Sequence, residues 1–274
     1  MSSLDALSTA TSGLQAQSAA FQNISGNIAN AQTTAFKATD TSFADLVSRQ
    51  QLSETVDWRS VLTNNRAGSI TFGSRSTDMA VSGDGYFTVK TPTGVSSNGQ
   101  PTFSANAVYT RRGDFQLDQN GYLVNAAGYY LMGSPIDPVT GATSTALQPL
   151  QFDMTTEQPN LGVLQSLSIG ANGKLQGTYS KGQTVDVASL PVATFRGEGF
   201  MSQGDGGTFG ATATSGAAQY TNSSTVVGYA LEASNVDLTD QMTSMVQAQQ
   251  AYSASTRVVT VSNEMLQTIT NLTI

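Results

Sequence analysis

Residues 25–38 read Ser-Gly-Asn-Ile-Ala-Asn-Ala-Gln-Thr-Thr-Ala-Phe-Lys-Ala. Small and amide side chains crowd around Ile28, and a polar run with one aromatic, Phe36, follows. Gly, Asn and Thr are weak helix formers. The stretch therefore either ends a helix or forms a surface where large side chains are unwelcome. What precedes it is helical in pattern. Leu7, Leu14, Phe21 and Ile28 recur every seven residues, with Leu4, Thr11, Ser18 and Ser25 at the partner positions.

The far end of the chain repeats the device. Leu238, Met245, Tyr252, Val259 and Leu266 form one heptad line, and Met242, Gln249, Thr256, Asn263 and Thr270 form its thinner, polar companion. Ser234-Asn235, followed by Asp237 and Asp240, reads as a helix start. A single such helix is most simply an amphipathic cap on a globular core. Two matching ones at opposite ends are better explained as an intramolecular pair, N-terminus against C-terminus, with a polar line left for neighbouring copies. An isolated pair so rich in Ser, Thr, Gln and Asn is marginal in water, so these ends are expected to order on assembly.

Between the helices the period changes to two. Gly85–Val89, Tyr109–Leu117 and Tyr122–Asn125 alternate as short strands, and Asn120-Gly121 is a strong hairpin signal that Asn172-Gly173 repeats. The fold class read here is α+β: terminal helices paired as a coiled coil around a mainly β central body. The expected domains are 1–30 with 235–274 as the helical domain, 31–70 as a connector and 71–234 as the β-rich body. The stretch 134–165 holds four of the seven prolines, and with the Gly- and Ala-rich 197–218 it reads as irregular.

Composition narrows the function. The chain has 274 residues, of which only 11 % are charged, with a formal net charge of −7. Few charges among many small polar residues suit surfaces that pack against protein, where Lys and Glu are disfavoured. Twelve thinly spread basic residues give no nucleic-acid footprint. Cysteine and histidine are both absent, which removes disulfides, thiolate metal sites and the commonest general base. No basic segment followed by an apolar one opens the sequence, so a cleaved secretory signal is not expected. No run approaches a membrane span.

Asp78, Asp84, Asp114 and Asp118 could be imagined as a carboxylate cluster, but each lies beside Gly or a turn and reads as a turn residue. The loop ending at Gly121 fails as a calcium hand, having Gln116 and Ala127 at ligand positions. Gly204-Asp205-Gly206-Gly207 lacks the Lys of a phosphate loop. Trp58, the lone tryptophan, reads as a packing anchor. No catalytic, metal or cofactor site is expected.

Taken together the motifs resemble the axial proteins of the bacterial flagellum, the rod and hook proteins of the hook–basal body. Asn27, Ile28, Ala29, Asn30, Thr33 or Thr34, Phe36 and Lys37 match the N-terminal signature of that family, with Gly26 for its first Asn and Ala35 for its usual Gly. The second departure matters more, since Gly permits a backbone conformation that strains Ala. Asp78–Phe87 resembles the family's D-x-A-I-x-G-x-G-F-F strand. Tyr109–Phe115 with Asp118–Val124 is similar to its Y-T-R-x-G-x-F…D-x-x-G-x-L-V, and Leu231–Leu238 with Met245–Tyr252 to its closing helix. Tyr179–Thr184 and Leu190–Phe195 look like the hook protein, whereas the length, with no room for a large outer domain, is that of a rod protein.

The resemblance implies a structural subunit, not an enzyme, stacking helically into a tube that transmits torque. A short hook or hook-like protein is favoured, with a distal or proximal rod protein as the alternative and a secreted β-rich binding module as the reading outside the family. Implied partners are further copies, the rod, hook and hook–filament junction proteins, the hook cap and the flagellar type III export apparatus. Its implied location is the hook–basal body. Assembly contacts are expected from Leu7, Leu14, Phe21, Asn27, Ile28, Asn30 and Phe36, and from Leu238, Met245, Tyr252, Val259 and Leu266. Asn27 and Asn30 are expected to close the first helix and offer amides to adjacent copies, with Phe36 anchoring the segment that leads away.

Overall fold

The computed structural model describes residues 3–48, 51–96, 99–144, 146–221 and 225–272. Its elements fall into two compact units, one of residues 1–31, 38–63 and 236–274, the other of residues 32–37 and 64–235.

The first unit holds the helices α1 (Ser3–Ala29) and α2 (Leu238–Leu272). Residues 39–62, within the expected connector, form a long antiparallel hairpin of β1 (Thr39–Ser48) and β2 (Gln51–Leu62), with a register shift between Asp45 and Val47. The hairpin packs on α1, and α1 packs on α2. Asn27 bonds to Gln241, and a side chain at Gly13 would meet Ser255. Moving back along α1 from 27 to 13 thus moves the contact forward along α2 from 241 to 255, which makes the pair antiparallel. In the single chain both segments are helical from these ranges.

The start of α2 differs from the expected one. Asp237 sits directly before Leu238, and its Oδ1 accepts the backbone N–H of Thr239 (2.8 Å) and Asp240 (3.4 Å), an N-cap geometry. Those N–H bonds, Thr239 first, hold the Asp237 carboxyl below its usual pKa. Asn235, read as a start signal, is engaged elsewhere: its backbone N–H donates to Phe36 O and its Nδ2 to Arg66 O.

The second unit is the β body. Its main sheet is antiparallel and runs in the order Leu164–Ile169, Leu175–Tyr179, Thr184–Ser189, Tyr130–Pro135, Phe87–Val95, Pro101–Thr110, Thr208–Gly210, Ser202–Gly204. The hairpin Phe115–Leu117/Leu123–Asn125 hangs on Tyr130–Pro135, with its turn where Asn120-Gly121 placed it. Short ribbons pair Met79–Ser82 with Thr225–Gly228, and Ile70–Phe72 with Ala230–Glu232. The expected irregular stretch 197–218 contains the small hairpin Ser202–Gly204/Thr208–Gly210, which sequence periodicity is too short to reveal.

The inward-facing alternate residues make the core: Met79, Val81, Phe87, Val89, Phe115, Leu123, Leu131 and Leu175 are all buried. Phe87 and Phe115 meet edge-on at 5.8 Å. Tyr109 stacks edge-on against Phe195 at 4.7 Å, and burial pushes its hydroxyl up to about 12. Trp58 is a correction. It is 40 % exposed, opposite the likewise exposed Phe43 on the hairpin, and is a cross-strand partner instead of a buried anchor.

Candidate assembly surfaces and a buried charge node

In the first unit the small residues carry the tightest packing. Ala10, Ala16, Ala19, Ala20 and Asn27 are the buried residues of α1, whereas Leu7, Leu14, Phe21 and Ile28 are half-buried and Thr11, Ser18 and Ser25 exposed. The side chain of Leu4 lies outside the described residues. On α2, Ala248 and Ser262 are buried, with Gln241 and Ser255 half-buried on the same seven-residue line. Met245, Val259 and Leu266 flank that line half-buried, while Leu238 and Tyr252 are exposed. The companion line expected at 242, 249, 256, 263 and 270 is exposed. The physical reason is the spacing: 241, 248, 255 and 262 alternate with 245, 259 and 266 just as well, and small side chains allow the helices to approach closely.

Asn27 is engaged within its own chain. It is 2 % exposed. Its Nδ2 donates to Thr39 O and Gln241 Oε1, both at 3.0 Å, and its Oδ1 accepts Thr39 N at 2.9 Å. A buried amide must be satisfied internally, so this one ties α1 to the hairpin and to α2. Asn23, one turn earlier, grips Thr41 and Ser60 in the same way. Asn30 closes the helix as expected, its Nδ2 donating to Gly26 O at 2.9 Å.

Among the residues that the single chain leaves uncovered on α2 are several large apolar ones. Met242, Val246, Val258, Val261 and Met265 are all exposed, together with Leu238 and Tyr252. Patches of this kind on soluble proteins mark interaction sites.

In the second unit, Lys37 and Arg111 are buried against Glu232. Lys37 Nζ lies 2.6 Å from Glu232 Oε1 and also donates to Arg66 O at 2.8 Å. Arg111 Nη1 lies 3.3 Å from Glu232 Oε2, with its guanidinium over the Tyr86 ring at 5.3 Å. The N–H of Gly68 donates to Glu232 Oε1 at 2.8 Å. Burial outweighs the attraction of Glu232 and lowers the Lys37 pKa; burial also raises those of Glu198 and Tyr86, which face each other beside Arg111. Its three members lie in three separate motifs, Lys37 in the N-terminal signature, Arg111 in Tyr109–Phe115 and Glu232 in Leu231–Leu238, and nothing in their spacing joins them.

Ala35 explains that signature further. Its φ is +57°, it is buried, and its N–H donates to Glu232 O at 2.8 Å. This left-handed conformation costs an L-residue roughly 1–2 kcal/mol, and Gly adopts it freely. Ala35→Gly is therefore expected to leave stability unchanged or raise it by up to ~1 kcal/mol, while Ala193→Gly in a core strand is expected to lose ~1 kcal/mol or more. Urea unfolding followed by circular dichroism reads both, and a clear loss for Ala35→Gly would contradict the strain.

The carboxylates of the body are engaged separately. Asp118 is the expected turn residue, accepting the N–H of Asn120 and Tyr122 at 2.9 and 2.7 Å. Asp78 and Asp114 are more than that: they are buried, form an isolated antiparallel bridge with each other, and pair with Arg75 (3.1 Å) and Arg112 (2.8 Å). Asp84 is exposed. Among the described residues no cluster of His, Cys, Asp or Glu could hold a metal ion, and no helix is long and apolar enough to cross a membrane.

Comparison with known proteins bears on both units. Residues 80–177 match the profile of the flagellar hook protein FlgE/F/G D1 domain, and residues 227–272 that of the flagellar basal body rod FlgEFG protein C-terminal region. The chain belongs to the flagellar hook and rod protein family. It is similar to the flagellar basal-body rod protein FlgG of Bacillus subtilis, 27 % identical over 98 % of this chain and 99 % of that one. It is also similar to the flagellar hook protein FlgE of Brucella abortus, 36 % identical over 53 % of this chain but 35 % of that one. A crystal structure of the Helicobacter pylori flagellar hook protein FlgE2 aligns over 30 % of this chain and 21 % of that one, with 23 % identity and a TM-score of 0.21. The family is one of structural flagellar components, not an enzyme class. Within it, the β motifs fall in the body and the closing helix is α2.

Proposed function

We propose that this chain is a structural subunit of the axis of the flagellar hook–basal body, polymerising into a helical tube that transmits torque. The observation that carries the reading is the first unit. Its antiparallel helices are joined by small residues, and one of them leaves two groups of large apolar side chains uncovered, Leu238, Met242, Val246 and Tyr252 on one face and Val258, Val261 and Met265 on another. Neighbouring copies of the same helices would cover them, pairing in coiled-coil fashion along the inside of the tube. The site residues follow from this: Leu238 and Tyr252 contact neighbouring copies, while Leu7, Leu14, Phe21, Ile28, Met245, Val259 and Leu266 hold the pair. The small polar side chains around them suit interfaces that slide between slightly different packings.

Two members of the family are in view. The hook-like reading rests on Tyr179–Thr184 and Leu190–Phe195. The rod reading is supported by the match with FlgG over nearly the whole of both chains and by residues 134–165, whose described part holds short pairings, the bridges Ile136/Thr143 and Gln158/Gly162 and the two-residue strand Gln148–Pro149 among them. We favour a rod-length subunit with hook-like motifs. Partners would be further copies, adjoining rod, hook and junction proteins, the cap, and the type III apparatus as the export route. Electron microscopy of the concentrated protein separates the readings: straight tubes are expected for a rod subunit and curved ones for a hook subunit. Discrete monomers at every concentration would overturn both.

A further inference from the structure

The chain passes into and out of the β body at 31/32, 37/38, 63/64 and 235/236. Inside the body, the segments beside those crossings are fastened to one another. Ala35 N donates to Glu232 O, Asn235 N to Phe36 O, Ala233 N to Ser69 O, and Asn235 Nδ2 to Arg66 O. Three of these are backbone bonds and one comes from a side chain, and Ala233–Ser69 continues the ribbon Ile70–Phe72/Ala230–Glu232 by one more bond. Segment 32–37 belongs to no strand, and the ribbon Ile70–Phe72/Ala230–Glu232 is three residues long. The side chain of Glu232 draws them together, through Lys37 on one side and Gly68 N on the other.

Glu232 also reaches the main sheet. Its second oxygen holds Arg111, the residue directly after Pro101–Thr110, and that strand pairs with Phe87–Val95 at the middle of the sheet. Arg111 is held in turn over Tyr86, the residue directly before Phe87–Val95. One carboxylate therefore joins every entering and leaving segment to the two central strands.

We infer that Glu232 is the mechanical anchor of the body, the group through which force on the entering and leaving chain reaches the sheet. Its biological use rests on the axial reading above; the anchoring does not. A charge-assisted bond between fixed groups resists separation along its own direction. Removing it therefore weakens the body against pulling on residues 32–37 and 232–235 more than against pulling across the sheet.

The absence of cysteine makes the test direct, because introduced thiols are unique handles. The full chain is pulled in single-molecule force spectroscopy through Gln32→Cys and Thr239→Cys, and separately through Val95→Cys and Val139→Cys. On the first axis Glu232→Gln is expected to lower the rupture force of the body clearly, with a much smaller fall on the second. Lys37→Met leaves the Arg111–Glu232 pair in place, and should lower the force mainly on the first axis, by a smaller amount. It carries the test if Glu232→Gln does not fold. An equal fall on both axes, or none on the first, would overturn the inference. Neither result depends on tube formation, so it can fail while the axial reading stands.

Discussion

Glu232→Gln is expected to destabilise the β body by about 3–5 kcal/mol, the cost of leaving buried charge uncompensated. Glu232 is buried with two cations, Lys37 at 2.6 Å and Arg111 at 3.3 Å, on its two oxygens. Glutamine keeps the shape but leaves both cations facing a neutral amide, without the water they had in the unfolded chain. Lys37→Met is expected to cost much less, since it removes one desolvated charge and leaves Glu232 with Arg111 and Gly68 N–H. The lowered pKa of Lys37 points the same way, because burial already works against its charge. Urea denaturation followed by far-ultraviolet circular dichroism measures both variants; Trp58 lies on the hairpin of the other unit and is no reporter for the body. A Lys37→Met loss equal to that of Glu232→Gln would show that the carboxylate is not the centre of the node.

Gly113→Ala should be as damaging for a different reason. A β-carbon at Gly113 would lie 1.5 Å from the carbonyl oxygen of Met79, whose own N–H is bonded to Gly113 O. The obstacle is backbone in a core strand, so no side chain can swing aside. Relief requires moving Met79–Ser82, and with it the buried Met79 and Val81, at a cost of ~3 kcal/mol or more. Gly85 is constrained twice over, with φ +123° and a β-carbon that would meet Val192 Cγ1 at 2.3 Å. Thermal unfolding is expected to place Gly113→Ala well below the parent chain. A melting point within a few degrees of it would mean that the strands separate more easily than their packing implies.

Much of this was legible in the sequence, and the exceptions have physical causes. The helices at both ends, the β middle and the Asn120-Gly121 hairpin follow from period and turn chemistry, which are local. The hairpin Thr39–Ser48/Gln51–Leu62 falls within the expected connector because its described exposed positions mix Asp40, Ser42, Arg59 and Ser60 with Phe43, Ala44, Trp58 and Val61, which leaves no clean alternation to read. On the helices the heptad spacing was visible, but large side chains drew the eye. The buried seam belongs to Ala10, Ala20, Ala248 and Ser262, residues that periodicity scores weakly and close packing favours. Ala35 was singled out from one departure in a motif, and its φ of +57° supplies the reason for that motif's glycine. The charge node was invisible because its members, Lys37, Arg111 and Glu232, are far apart in sequence and only tertiary structure joins them.

The central claim is that assembly resides in the paired terminal helices. Sedimentation velocity on concentrated full-length chain and on the chain lacking residues 3–29 tests it most directly, with circular dichroism to show that the β body persists. The account predicts large, fast-sedimenting species for the full chain and a folded monomer for the truncated one. Equally fast sedimentation of the truncated chain, its body intact, would contradict it.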